Sequence, residues 1–245
     1  VQRRRHTGRR SRLVVLALAL ASGCLSTQRP AEKLIDPRLR EHATLLTAAR
    51  GPGLVFDRYR TDRVELIDEP LEPGLLPADA RGRPTQQQRM RTSLRGGETV
   101  WSIECIVQRR LPPDGDFAAA ADETRDEVAL ACQIAGDEQR WRLELGGVLG
   151  FDLTGSLRSV DAREQPVDLL IELQIWYQLL KAVRRTLPTP LVQIRGELDG
   201  RRATWAAMIF GQPERMWFER DLVARQGEPL LAALVALRLA PLGLE

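Results

Sequence analysis

The sequence predicts an α+β fold: an antiparallel β-meander sheet, a long buried helix over about residues 166–187, a following hairpin and a C-terminal helix. Three observations predict it. In the middle of the chain apolar and polar residues alternate, as with Trp141, Leu143 and Leu145 against Arg140, Arg142 and Glu144, which is the period of a strand with one dry face. After Pro166 the spacing changes, and Leu169, Leu173, Trp176, Leu180, Val183 and Leu187 recur at steps of four and three, the period of a helix. The closing stretch EPLLAALVALRLAP is apolar on nearly every side, as a core helix is.

The chain begins with Arg3, Arg4, Arg5, Arg9, Arg10 and Arg12, continues with an apolar run from Leu13 to Ala21, and reaches small residues before Cys24. A run of that length is less than half of what a lasting membrane span needs, so residues 1–23 are expected to be an export signal. Ala21-Ser22-Gly23-Cys24 resembles the lipobox of bacterial lipoproteins. That resemblance implies cleavage after Gly23, acylation of Cys24 and a palmitate-type anchor holding the mature protein on a membrane of the cell envelope, facing the periplasm or the cell surface. Leu25 follows where lipoproteins retained at the inner membrane often carry Asp, which by the same resemblance points to the outer membrane. Two or more acyl chains hold stably where one holds marginally.

Cleavage would also change the charge. Six of the 36 basic residues precede Cys24 and all 33 acidic residues follow it, so the chain from Cys24 onward carries a net −3 in place of +3. Without a cluster of basic and aromatic residues, a nucleic-acid partner is not expected.

Residues 24–52 are expected to form a lipidated tether and a short helix, with Asp36 as N-cap, Pro37 in the first turn and Gly51 past the end. Residues 53–245 are expected to form a single α+β domain. Gly96-Gly97 and Asp199-Gly200 are hairpin signals, and strands are expected near 127–135, 139–146, 150–158 and 216–218. Cys105 shares an apolar face with Trp101, Ile103 and Val107, and Cys132 with Val128, Leu130 and Ile134. If the two strands are antiparallel neighbours, both sulfurs point into one core. A bridge closing that loop would contribute about 3.5 kcal/mol.

Little else suggests chemistry. His42 is the one histidine after Cys24, and no Cys/His spacing suits zinc. Asp114, Asp116, Asp122 and Glu123 do not match a calcium loop, and Gly146-Gly147 opens no dinucleotide fingerprint. Glu144, Asp152, Glu172 and Glu197 are the candidates for a glycosidase-type carboxylate pair, whose partnership would be spatial. Neither cofactor nor metal is expected. The expected function is therefore a non-catalytic, lipid-anchored envelope lipoprotein that binds a protein partner or supports an envelope assembly. The alternative is a carrier of lipid or another hydrophobic ligand, because a curved sheet around an apolar helix looks like the general architecture of periplasmic lipoprotein carriers, an analogy of fold alone. A hydrolase of envelope polymers comes third. An open apolar cavity beside Trp141 and Trp205 would favour the carrier, and a filled core the partner-binding reading.

Overall fold

A computed structural model describes residues 31–50, 53–70, 74–77, 84–97, 99–110, 127–149, 152–160, 167–180, 185–198, 200–220, 222 and 224–243. The leader, the lipobox and the acidic loop at 114–123 lie outside the described residues.

The chain is mostly β. After a short helix α1 (Pro37–His42) come β1 (Ala43–Arg50), β2 (Leu54–Phe56), β3 (Tyr59–Thr61), β4 (Glu65–Glu69), β5 (Thr85–Arg95) and β6 (Trp101–Arg110). There follow β7 (Glu127–Ala135), β8 (Arg140–Val148), β9 (Leu153–Ser159), β10 (Asp168–Leu180), β11 (Arg185–Leu198), β12 (Arg201–Ile209), β13 (Glu214–Glu219) and the helix α2 (Ala224–Leu239). All strands join one antiparallel sheet in the order β3-β2-β1-β13-β12-β11-β10-β9-β8-β7-β6-β5-β4. Because β3 also pairs with β5, through Arg60 with Arg95 and Thr61 with Leu94, the sheet curls into a nearly closed barrel.

This corrects the expected α+β class. The segment expected as a helix over 166–187 is instead strand β10, laddered to β9 and, from Leu169–Gly196 to Leu180–Arg185, to β11. Its buried residues are Leu169, Ile171 and Leu173, at a period of two, while Leu170 is 43% exposed. An outward leucine and straight-chain helix formers gave the segment its helical look, and the ladder overrode that local preference. The N-terminal helix is also shorter than expected. Asp36 does cap it, accepting a hydrogen bond from the Arg38 amide at 2.9 Å, but it ends at His42, and ATLLTAAR runs on as β1 against β13.

The hairpin signals mark tight connections. Gly96 sits at φ 111° between β5 and β6, where a Cβ would stand 1.9 Å from the Arg58 carbonyl oxygen. Gly200, at φ 73°, precedes β12.

The interior is filled by α2. Leu230 to Leu237 are each no more than 3% exposed, and the helix touches β6 and β7 on one side and β12, far along the sheet, on another. A helix buried all round between such distant strands is enclosed by the sheet, and its uniformly apolar sequence suits that place. Both ends are pinned. At the rim carrying the β5–β6 and β11–β12 turns, hereafter the lower rim, the Trp101 indole N–H donates to Glu228 at 3.0 Å. At the opposite, upper rim, Arg238 donates to the fully buried Glu214 at 2.7 Å, and its guanidinium lies over the Phe210 ring at 5.2 Å. Glu214 also accepts the Gly211 amide at 2.7 Å.

A second, smaller core lies outside the barrel. Ala31, Ile35 and Leu39 pack on Leu191, Ala207, Ile209 and Trp217, which explains why β12 reads as apolar on both faces. The polar ties of this segment are Glu32 with Arg215, the Thr204 hydroxyl donating to Asp36 at 3.2 Å, and the Asp36 amide donating to Gln193 at 3.4 Å.

Candidate functional site

Cys105 and Cys132 sit opposite each other on β6 and β7, with Cα atoms 4.0 Å apart and the sulfurs within bonding distance. Both are buried in the interior cluster. The pair is placed for a disulfide, with Met90 in register beside Cys105 and Leu143 beside Cys132.

The outer face is where the sequence left surface unaccounted for. Two flaps lie on it. The loop at 74–77 covers β6, with the Leu76 amide donating to Gln108 at 3.0 Å and Arg110 donating to the Pro77 carbonyl. The 31–42 segment covers β11 to β13. Between these flaps the outward side chains of β8, β9 and β10 floor an open trough.

One depression of about 790 Å³ runs from Leu75 across Glu144, Gly146, Ser156 and Arg158 to Asp168 and Leu170. A second, of about 490 Å³, shares Asp168 and Leu170 and continues over Arg195 and Arg202 to Asp36. Registers explain the gathering: Glu144, Ser156, Leu170 and Arg195 lie side by side on successive strands. At the centre the exposed Leu170 is ringed by ion pairs, Arg158 with Asp168 at 3.2 Å and Arg195 with Glu172. Small side chains leave the floor low, and charges of both signs surround one apolar residue.

Carboxylates in this region are engaged by arginine. Glu144 pairs with Arg142 at 2.6 Å and Glu172 with Arg195, while Asp152 and Glu197 are exposed on separate strand ends. Glu144 borders the first depression and Glu197 the second. His42 is exposed at the end of α1. Among the described residues no group of three or more His, Cys, Asp or Glu is arranged to hold a metal, and no helix is long and apolar enough to cross a membrane.

The carboxyls with lowered values lie on and around β4 to β6. The Asp62 carboxyl is held below its ordinary value by hydrogen bonds from Arg95 and Ser93, with Arg95 Nε 2.9 Å away. Along β4 and β5, Arg89 holds Glu69 and Glu104 down in the same way. Among the described residues each of these carboxyls is paired with an arginine on strand β5.

Trp141 and Trp205 both face the filled interior. Glu144, Asp152, Glu172 and Glu197 are legible in the sequence as acids, but the depressions that Glu144 and Glu197 line are not. Leu170, Arg195 and Arg202 become visible as one surface only when 168–180 is read as a strand with outward residues at every second place. Comparison with protein-family models, with curated proteins and with solved structures finds no match.

Proposed function

We propose that the protein is a lipid-anchored lipoprotein of the cell envelope that acts without catalysis, docking a protein partner or supporting an envelope assembly through its outer face. The observation that carries this reading is the barrel interior, occupied along its length by α2, while the trough around Leu170 stands open outside. A carrier needs space for its cargo, and the position beside Trp141 and Trp205 where cargo would sit is packed with helix. The anchor at Cys24, outer-membrane placement and an oxidised Cys105–Cys132 bridge belong to the same proposal.

Its test is a photoreactive residue in place of Leu170, with another in place of Val55, which is also exposed, on β2. Irradiation in native membranes is expected to give a discrete protein adduct from position 170 that position 55 does not give. Adducts from neither position under several growth conditions would sink the docking role. For the anchor, Cys24→Ser is expected to release the protein from membranes or block its processing; normal cleavage and retention would refute the lipobox.

A further inference from the structure

The seam of the barrel leaves one strand edge unfilled. At one end of the sheet β3 closes on β5 through two residue pairs. At the other end β4 runs on along the side of β5 that β6 does not take, from Glu65–Arg91 to Glu69–Gln87. Among the described residues β5 is the sole partner of β4. In an antiparallel strand every second residue turns its amide and carbonyl away from the partner, so β4 presents backbone donors and acceptors along a free edge.

Its side chains agree. Met90 is fully buried in the interior, and Leu66 lies beside it in register on the same face, yet Leu66 is 51% exposed. That contrast puts solvent on the inward face of β4, where a further strand would cover it. Ile67, on the outward face, is also exposed, as are Glu65 and Asp68. A depression of about 690 Å³ opens where the chain passes from β3 to β4, bordered by Asp62, Val64, Glu65, Leu66 and Arg91, and it gives room for the side chains of an added strand.

Charge selects the occupant. Among the described residues Glu65 has no arginine to itself, because the Arg91 beside it pairs with Glu104 at 3.1 Å. Asp68 accepts a hydrogen bond from the neutral Gln88 amide at 2.8 Å. A second copy of β4 laid antiparallel and centred on Ile67 would set Glu65 opposite Glu69, and a slip of one residue would set Glu65 opposite Asp68. Like charges directly opposite destabilise a strand pair, so these acids guard the edge against copies of this chain. The same acids favour a strand that carries lysine or arginine, with apolar residues between them to cover Leu66.

We propose that the free edge of β4 takes up an extended basic segment of a protein partner as an added strand, with basic residues beside Glu65 on the outer face and apolar residues beside Leu66. This site is separate from the trough around Leu170 and requires neither the trough nor the anchor. The probe is a short end-blocked peptide of alternating lysine and valine, added to the full chain carrying Cys24→Ser and followed by fluorescence anisotropy and amide exchange. Before addition, alternate amides of β4 are expected to exchange freely; with the peptide bound, all those from Glu65 to Glu69 are expected to be protected. Methylating alternate peptide nitrogens keeps the charge and removes the strand donors, and it should abolish binding. Glu65→Lys should weaken binding about fivefold, and a peptide with glutamate in place of lysine should bind that variant more tightly than the parent. No binding, equal binding of the methylated peptide, or no effect of Glu65→Lys overturns the proposal. Protection of every β4 amide before addition also overturns it and assigns the edge to the chain itself, and dimerisation through β4 would overturn it in favour of a second copy. None of these results touches the Leu170 adducts or the processing of Cys24, so failure here leaves those readings to their own tests.

Discussion

The interior of the barrel and its outer face are built to opposite specifications. Inside, α2 and the inward residues of the sheet leave no side chain from Leu230 to Leu237 more than 3% exposed, and the polar atoms at each end are matched, Trp101 with Glu228 and Arg238 with Glu214. Outside, an exposed leucine sits in a trough ringed by ion pairs. Burial inside is explained by stability alone. The open trough outside adds nothing to that stability.

The contrast is broken most severely at the plug. Glu214→Ala would strand Arg238, which is nearly buried, and removing one partner of such a pair costs about 3–5 kcal/mol; denaturant melts should show a loss of that size, and a loss below 1 kcal/mol would mean the helix end is wet. Reducing the Cys105–Cys132 bridge should cost about 3.5 kcal/mol if the chain-entropy account holds. Mass analysis of non-reduced peptides comes first, because full thiol labelling of both cysteines without reductant would refute the bridge.

A milder effect is expected at the seam. Asp62, Glu69 and Glu104 have carboxyls whose pKa values are lowered by arginine hydrogen bonds. A lowered folded-state value means their contribution is complete above the unfolded range of about 4 and is lost as pH falls through the folded values. Amides of β4 and β5 should therefore begin to exchange with solvent in acid before those of β7 and β8; simultaneous loss would show that the arginine pairs do not set local stability. Asp62 is well exposed, so screening keeps this effect small. Smallest of all, Leu170→Ala should change stability by less than about 0.5 kcal/mol while removing docking, a separation that thermal melts and adduct yields together would reveal.

What the sequence disclosed follows the range of the forces involved. The β5–β6 and β11–β12 turns rest on glycines that act locally, and the cysteine pair was visible because each lies on a strand of clear period two. Residues 168–180 were misread because leucines at 169 and 173 satisfy both periods, and the choice is made by β11, supplied later in the chain. β1 was hidden for the same reason: Ala43 to Arg50 contains good helix formers, and β13 recruits them. The trough was illegible because Glu144, Ser156, Leu170 and Arg195 come from four strands, and only register brings them together.

The protein's three methionines, Met90, Met208 and Met216, are all fully buried in the interior cluster. Replacing them with photo-methionine therefore places three probes inside the barrel. After irradiation in native membranes, the account predicts crosslinks within the chain, chiefly to α2, and no lipid on any of the three sites. Lipid adducts at Met208 or Met216 would show that α2 yields its place to cargo, and the protein would then be a carrier.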